Sequence, residues 1–174
     1  MVVLMARSHA GETVSSWVMH YLIRFLVSDR PEAVLLRESF VFKIFPMVNP
    51  DGVVHGNYRC SLIGRDLNRR WKNPVKELYP EVYFIKNQIV DTHEQRQVRM
   101  VIDLHGHTQK RQAFFYGCAD KLTPHRARLF PYMATKESGV FEFGSCNFAI
   151  QKSKESTARI TLYNLIKSPD IFTL

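Results

Sequence analysis

Cysteine is scarce in this chain. Three residues among 174, Cys60, Cys118 and Cys146, form an odd, scattered set with no CxxC pair. That excludes a disulfide framework and points to a reducing compartment, the cytosol. Long apolar runs are also missing. No window approaches the roughly 18 apolar residues of a membrane-crossing helix, so neither a membrane span nor a membrane partner is expected. The opening "MVVLMARSHAGE" is apolar for six residues and has no basic segment before them, which is too short for a signal peptide. There is no internal repeat, low-complexity tract or linker, so a single domain is expected. Acidic residues are the minority, 16 against 24 Lys and Arg, for a net charge of +8. That balance favours an acidic partner, whether nucleic acid, acidic lipid or acidic peptide, without choosing among them.

What the chain does have is an ordinary globular composition, 45% hydrophobic and 23% charged, and enough length for a sizeable core. Val2 to Met5 reads as a buried strand. Val14, Trp17, Val18, Tyr21, Leu22, Phe25 and Leu26 recur at helical spacing and predict a core-facing stripe, with Thr13 as its cap. "PEAVLLRES" (31–39) suits a helix with Pro31 in its first turn, "FVFKIFP" (40–46) a strand and "NPDG" (49–52) a turn. Residues 60–74 read as an ordered loop, 80–96 as a helix, 98–105 as a buried strand and 113–119 as another strand. Residues 124–136 read as helical but ended or kinked at Pro131, 157–167 as helical, and "DIFTL" as a final strand. Strands and helices alternate, and the strands are apolar on both faces. The expected fold class is therefore α/β, with a mixed, largely parallel sheet flanked by helices on both faces. Aromatics such as Phe25, Phe40, Phe42 and Tyr83 fall at core-periodic positions, which argues against a nucleic-acid-binding face.

Three constellations carry chemistry. "HAGE" places His9 and Glu12 three apart, a spacing that a polar loop before a helix explains equally well. "DLHGH" adds His105 and His107 at the C-terminal end of a buried strand, where open α/β sheets place their ligands. A His, Glu, His set is what a catalytic zinc needs, with Asp103 and the loop at Gly106 as partners that orient the imidazole. The third constellation, "NYRCSLIGRDLNRRW", holds Arg59, Arg65, Asn68, Arg69 and Arg70. Arginine's planar fork matches carboxylates.

"HAGE", "PMVNPDG", "NYRCSLIGRDLNRRW", "DLHGH", "FFYGC" and "SCNFAIQKSKESTAR" occur in that order. Together they resemble the zinc metallocarboxypeptidases, specifically the cytosolic carboxypeptidase branch that trims glutamates from tubulin and other acidic tails. The resemblance implies one Zn2+ per chain, held by His9, Glu12 and His105, with His107 the less favoured third ligand. It makes Arg59 the residue that polarises the scissile carbonyl, Asn68 and Arg69 the grip on the terminal carboxylate, and Arg159 the selector of a C-terminal glutamate. Polyglutamylated tubulin is then the expected partner, and the cytosol, with microtubule association, the expected location. By the same resemblance, the β-rich domain that precedes the catalytic domain is absent. The general-base glutamate is expected directly after Leu174. Residues 1–174 therefore read as a partial catalytic domain, incomplete at its C-terminus and nearly inactive alone; the alternative is a module that binds glutamate-rich tails without cleaving them.

Overall fold

The computed structural model describes residues 1–174. Strand β1 (Val2–Ala6) leads through a short loop into helix α1 (Thr13–Leu26), followed by α2 (Pro31–Ser39), β2 (Phe42–Phe45) and the short α3 (Pro50–Val54). A long ordered loop with one 3-10 turn at Leu67–Arg69 precedes α4 (Pro80–Gln95) and β3 (Met100–Leu104). Then come α5 (Arg126–Glu137), α6 (Ala158–Ile166) and β4 (Asp170–Thr173). The sheet order is β2-β1-β3-β4. Every pair in it is parallel, with Val3 opposite Lys43 and Val101, and Val101 opposite Ile171. The expected antiparallel component reduces to one isolated bridge, Tyr116 to Thr173.

The pleat divides β1 between two cores. Val3 and Met5 face Trp71, Val82 and Ile89, along with Leu162 of α6. Val2, Leu4 and Ala6 face Met19 and Leu26 of α1. All five residues of β1 are buried, as a strand covered on both sides requires. A third cluster, Phe115, Ala127, Phe148 and Phe172, closes the β4 side beneath α5.

Several expectations are corrected. Only the C-terminal part of the apolar stripe of α1 faces the core: Leu26 is buried and Leu22 and Phe25 pack against it, whereas Val14, Trp17, Val18 and Tyr21 are 50, 62, 44 and 61% exposed. The buried residues are Ser15, Met19 and Leu26. These share a helix face with Glu12, so the rotation of α1 follows the residue that must reach the strand ends rather than the widest apolar stripe. Thr13 is accordingly the first helical residue, and Glu12 occupies the cap position without a capping side-chain bond. "NPDG" is not a free turn but the start of α3, where the Asn49 side chain accepts from the Gly52 amide at 3.0 Å. Residues 113–119 form no strand. They make isolated bridges to Phe141, Asn147 and Thr173, three different segments, so no continuous ladder develops. Pro131 sits inside α5, which runs on to Glu137. The lost hydrogen bond to the preceding turn is outweighed because Ala127 and Pro131 are its buried residues and Phe130 and Ala134 pack on the aromatic cluster. Phe40, assigned to the core by its spacing, is exposed.

Candidate active site

The site stands at the C-terminal ends of β1 and β3. Directly after β1, Arg7 takes a left-handed backbone conformation (φ 60°) that turns the chain sharply. Its Nε donates to the Ala10 carbonyl and its Nη1 to Ser16 Oγ, both at 2.8 Å, so the loop is tied to itself and to α1. Gly11 permits the close approach of a second segment: its amide donates to the Tyr58 carbonyl at 2.6 Å, and a Cβ there would lie 2.7 Å from that oxygen.

This loop brings His9 and Glu12 against His105. Glu12 Oε1 lies 2.8 Å from His9 Nδ1, Glu12 Oε2 lies 2.9 Å from His105 Nδ1, and the two Nδ1 atoms are 3.1 Å apart. Each imidazole is held from behind by a carboxylate. His9 Nε2 is 3.0 Å from Asp66 Oδ1, and His105 Nε2 is 2.8 Å from Asp103 Oδ2. Assigned from this network, both Nε2 atoms carry the proton they donate, so both Nδ1 lone pairs point at the Glu12 carboxylate. Three acceptors converging within 4.8 Å call for a positive charge among them. A proton on His105 meets part of that need; a divalent cation meets all of it. The donor set and its carboxylate backing fit zinc.

The charges respond accordingly. Burial pushes the Glu12 carboxyl up, but the side chains of His105 and His9 beside it, then the charge of His105 and the Gly106 amide, outweigh it and hold it well below the usual carboxylate range. Asp66 behaves the same way: burial raises it, and His9, Arg59 and Arg69 together bring it far lower. For His105, burial lowers the pKa, yet Asp103 and Glu12 raise it to about 10. His107 stands apart from this cluster. Its Nδ1 accepts the amides of Gln109 and Lys110 at 3.2 and 3.1 Å, and its ring meets Phe114 edge-on. Geometry therefore brings His105, not His107, to the other two.

A cavity of about 490 Å³ opens in front of the cluster. Arg59, Asn68, Arg69 and Arg159, the four residues singled out by the resemblance, all line it. Arg59 is held by Asp66, Nε to Oδ2 at 2.9 Å, with its Nη1 3.9 Å from Glu12. Asn68 Oδ1 accepts the Ala158 amide at 2.9 Å, which anchors the start of α6 to the loop. Arg69 donates to the Asn68 carbonyl at 2.9 Å, and Arg159 to the Gly117 carbonyl and to Cys118 Sγ at 3.1 Å. Neither has a carboxylate partner. Lys154 joins them on the wall, and its pKa is lowered first by Arg69, then by burial and Arg59. Sequence reasoning missed Asp66 altogether. Its signal lies in "GRDLNRR", where the surrounding arginines mask a single acid that binds both His9 and Arg59.

A family profile described as zinc carboxypeptidase matches residues 1–142. The chain belongs to the zinc carboxypeptidase family. Among curated relatives, cytosolic carboxypeptidase 2 of Mus musculus is 47% identical over 167 residues, covering 94% of this chain and 19% of the relative. Cytosolic carboxypeptidase 3 of Mus musculus is 44% identical over 171 residues, covering 94% of this chain and 17% of the relative. The chain thus spans about a fifth of their length. Among solved structures, a metallo-carboxypeptidase from Pseudomonas aeruginosa, in complex with (2-guanidinoethylmercapto)succinic acid, aligns at a TM-score of 0.82 and 27% identity. It covers 99% of this chain and 46% of that one. No helix of the chain is long and apolar enough to cross a membrane.

Proposed function

We propose that this chain carries the zinc-binding and substrate-gripping part of a cytosolic metallocarboxypeptidase that acts on acidic protein C-termini, polyglutamylated tubulin tails among them. One observation carries the reading: Arg69, Lys154 and Arg159 face one cavity beside the His9–Glu12–His105 cluster, and none has a carboxylate partner. Like charges gathered this way repel one another unless an anionic ligand joins them. His9, Glu12 and His105 would hold the zinc, which polarises a carbonyl and acidifies water. The protein's own groups do the rest. Asn68 and Arg69 take the terminal carboxylate and fix which bond is presented. Arg159, at the cavity wall, pairs with a glutamate side chain. Arg59, braced by Asp66 yet half-exposed, offers its Nη atoms to charge building on the scissile oxygen.

A second reading, binding without cleavage, is favoured by a specific observation. Glu12 is the one carboxylate lining the cavity, and both its oxygens already face histidine nitrogens. The test uses zinc-loaded chain and two peptides that differ only in a C-terminal Glu or Leu, with calorimetry for binding and released amino acid for turnover. Tighter binding of the Glu-ended peptide supports acid recognition, and release of glutamate supports cleavage. Equal affinity for both peptides would sink the acidic-tail reading.

A further inference from the structure

We infer that Cys118 is a positioning residue for Arg159: its sulfur, the Gly117 carbonyl and the Tyr116 ring aim the guanidinium into the cavity without neutralising it, and thereby set the preference for an acidic terminal side chain. The inference rests on the reading of Arg159 given above. Arg159 is the second residue of α6 and only 7% exposed. A charge buried to that degree normally has an ionic partner. Here the contacts are all neutral: Nη1 donates to the Gly117 carbonyl and to Cys118 Sγ at 3.1 Å, and Cζ lies 5.9 Å from the Tyr116 centroid. Three consecutive residues grip one guanidinium.

The grip itself is rigid. Tyr116 exchanges both backbone hydrogen bonds with Thr173 of β4, at 2.8 and 3.0 Å. The amides of Gly117 and Ala119 each donate to the neighbouring segment, at Asn147 and Phe148, both at 2.9 Å. Gly117 lies so close to Phe148 that a Cβ would meet its ring at 2.7 Å. The segment is therefore fixed between the sheet edge and the aromatic cluster and presents its acceptors to Arg159 at a set angle. Burial also pushes the Cys118 thiol up, against the influence of Arg159, so the sulfur stays uncharged. A carboxylate in its place would satisfy Arg159 internally; a thiol directs the charge and leaves it available to a ligand.

A buried free cysteine is otherwise simply a small apolar core residue, and three variants separate the roles. Cys118→Ser keeps an acceptor, Cys118→Val keeps bulk without one, and Cys118→Asp supplies a competing charge. The measurement is the affinity ratio of the zinc-loaded chain for Glu-ended over Leu-ended peptides, with thermal unfolding to verify folding. Loss of a hydrogen bond to a charged group predicts that Val lowers the ratio about tenfold, that Ser preserves most of it and that Asp abolishes it. If Val keeps the wild-type ratio, or Ser loses as much as Val, the positioning role is overturned. If Val fails to fold, Asp decides: an unchanged ratio there refutes the inference. A wild-type ratio of one would instead refute the role of Arg159 itself, and this inference with it.

Discussion

The carboxylate behind His105 gives the sharpest test of the metal reading. Asp103 is 1% exposed, and its Oδ2 sits 2.8 Å from His105 Nε2 while Oδ1 takes a longer contact from Ser8 Oγ at 3.4 Å. Asp103→Asn preserves shape but removes the charge that holds the Nε2–H tautomer, and its amide can turn a donor towards the ring. His105 then presents a protonated Nδ1 to the cluster and cannot ligate. A hydrogen bond to a charged group is worth about 1.5–3 kcal/mol, or roughly 10- to 150-fold in affinity. Loss of a carboxylate behind a ligating histidine typically costs about 10–100-fold. We expect zinc affinity to fall by about that range, measured by competition with a chelating dye at pH 7. Asp66→Asn should cost less, since that side chain is 20% exposed and its 3.0 Å bond to His9 is reachable by water. Unchanged zinc affinity in a folded Asp103→Asn protein would refute the argument that this carboxylate sets the ligand's tautomer.

His105→Ala should abolish stoichiometric zinc binding, while His107→Ala should retain it, because the His107 ring caps its own turn; metal analysis of the purified variants decides. Arg159→Leu removes a nearly buried charge and should weaken binding of a Glu-ended peptide by about 2–5 kcal/mol, with little change for a Leu-ended one, by calorimetry. Gly117→Ala drives a methyl against the Phe148 ring and should cost about 1–3 kcal/mol in stability, visible as a lowered midpoint in thermal or urea unfolding.

Much of this molecule was legible from spacing alone. The parallel strands and the three long helices follow from apolar runs, whereas spacing left His9 and Glu12 ambiguous and His105 and His107 both open, and only the family resemblance joined His9, Glu12 and His105 into one set. What escaped has identifiable causes. Helix α1 has more apolar residues than its covered face can take, so periodicity picked Val14, Trp17, Val18 and Tyr21, while the demand on Glu12 turned the helix towards Ser15 and Met19. Residues 113–119 are apolar enough for a strand, but three different partners divide their hydrogen bonds. Asp66 could not be singled out because its role exists only where the 60–74 loop folds back over His9. Pro131 marks the limit of local rules, since tertiary burial of one helix face overrode the break that its ring imposes.

The parallel pairing of β1 with β3 also bears on when the site can come into being. His9 and Glu12 are local to each other, whereas His105 is 96 positions from His9 and reaches it only after those two strands have docked side by side. Closing so long a loop is an entropic cost met early in the search for the native state, before the contacts that reward it exist. An unfolded chain offers an ion two nearby ligands at most, so zinc has little with which to nucleate the structure. Its stabilisation belongs to the assembled sheet. Zinc should therefore slow unfolding far more than it speeds refolding, with the metal acting as a late lock on a topology the strands must first find unaided.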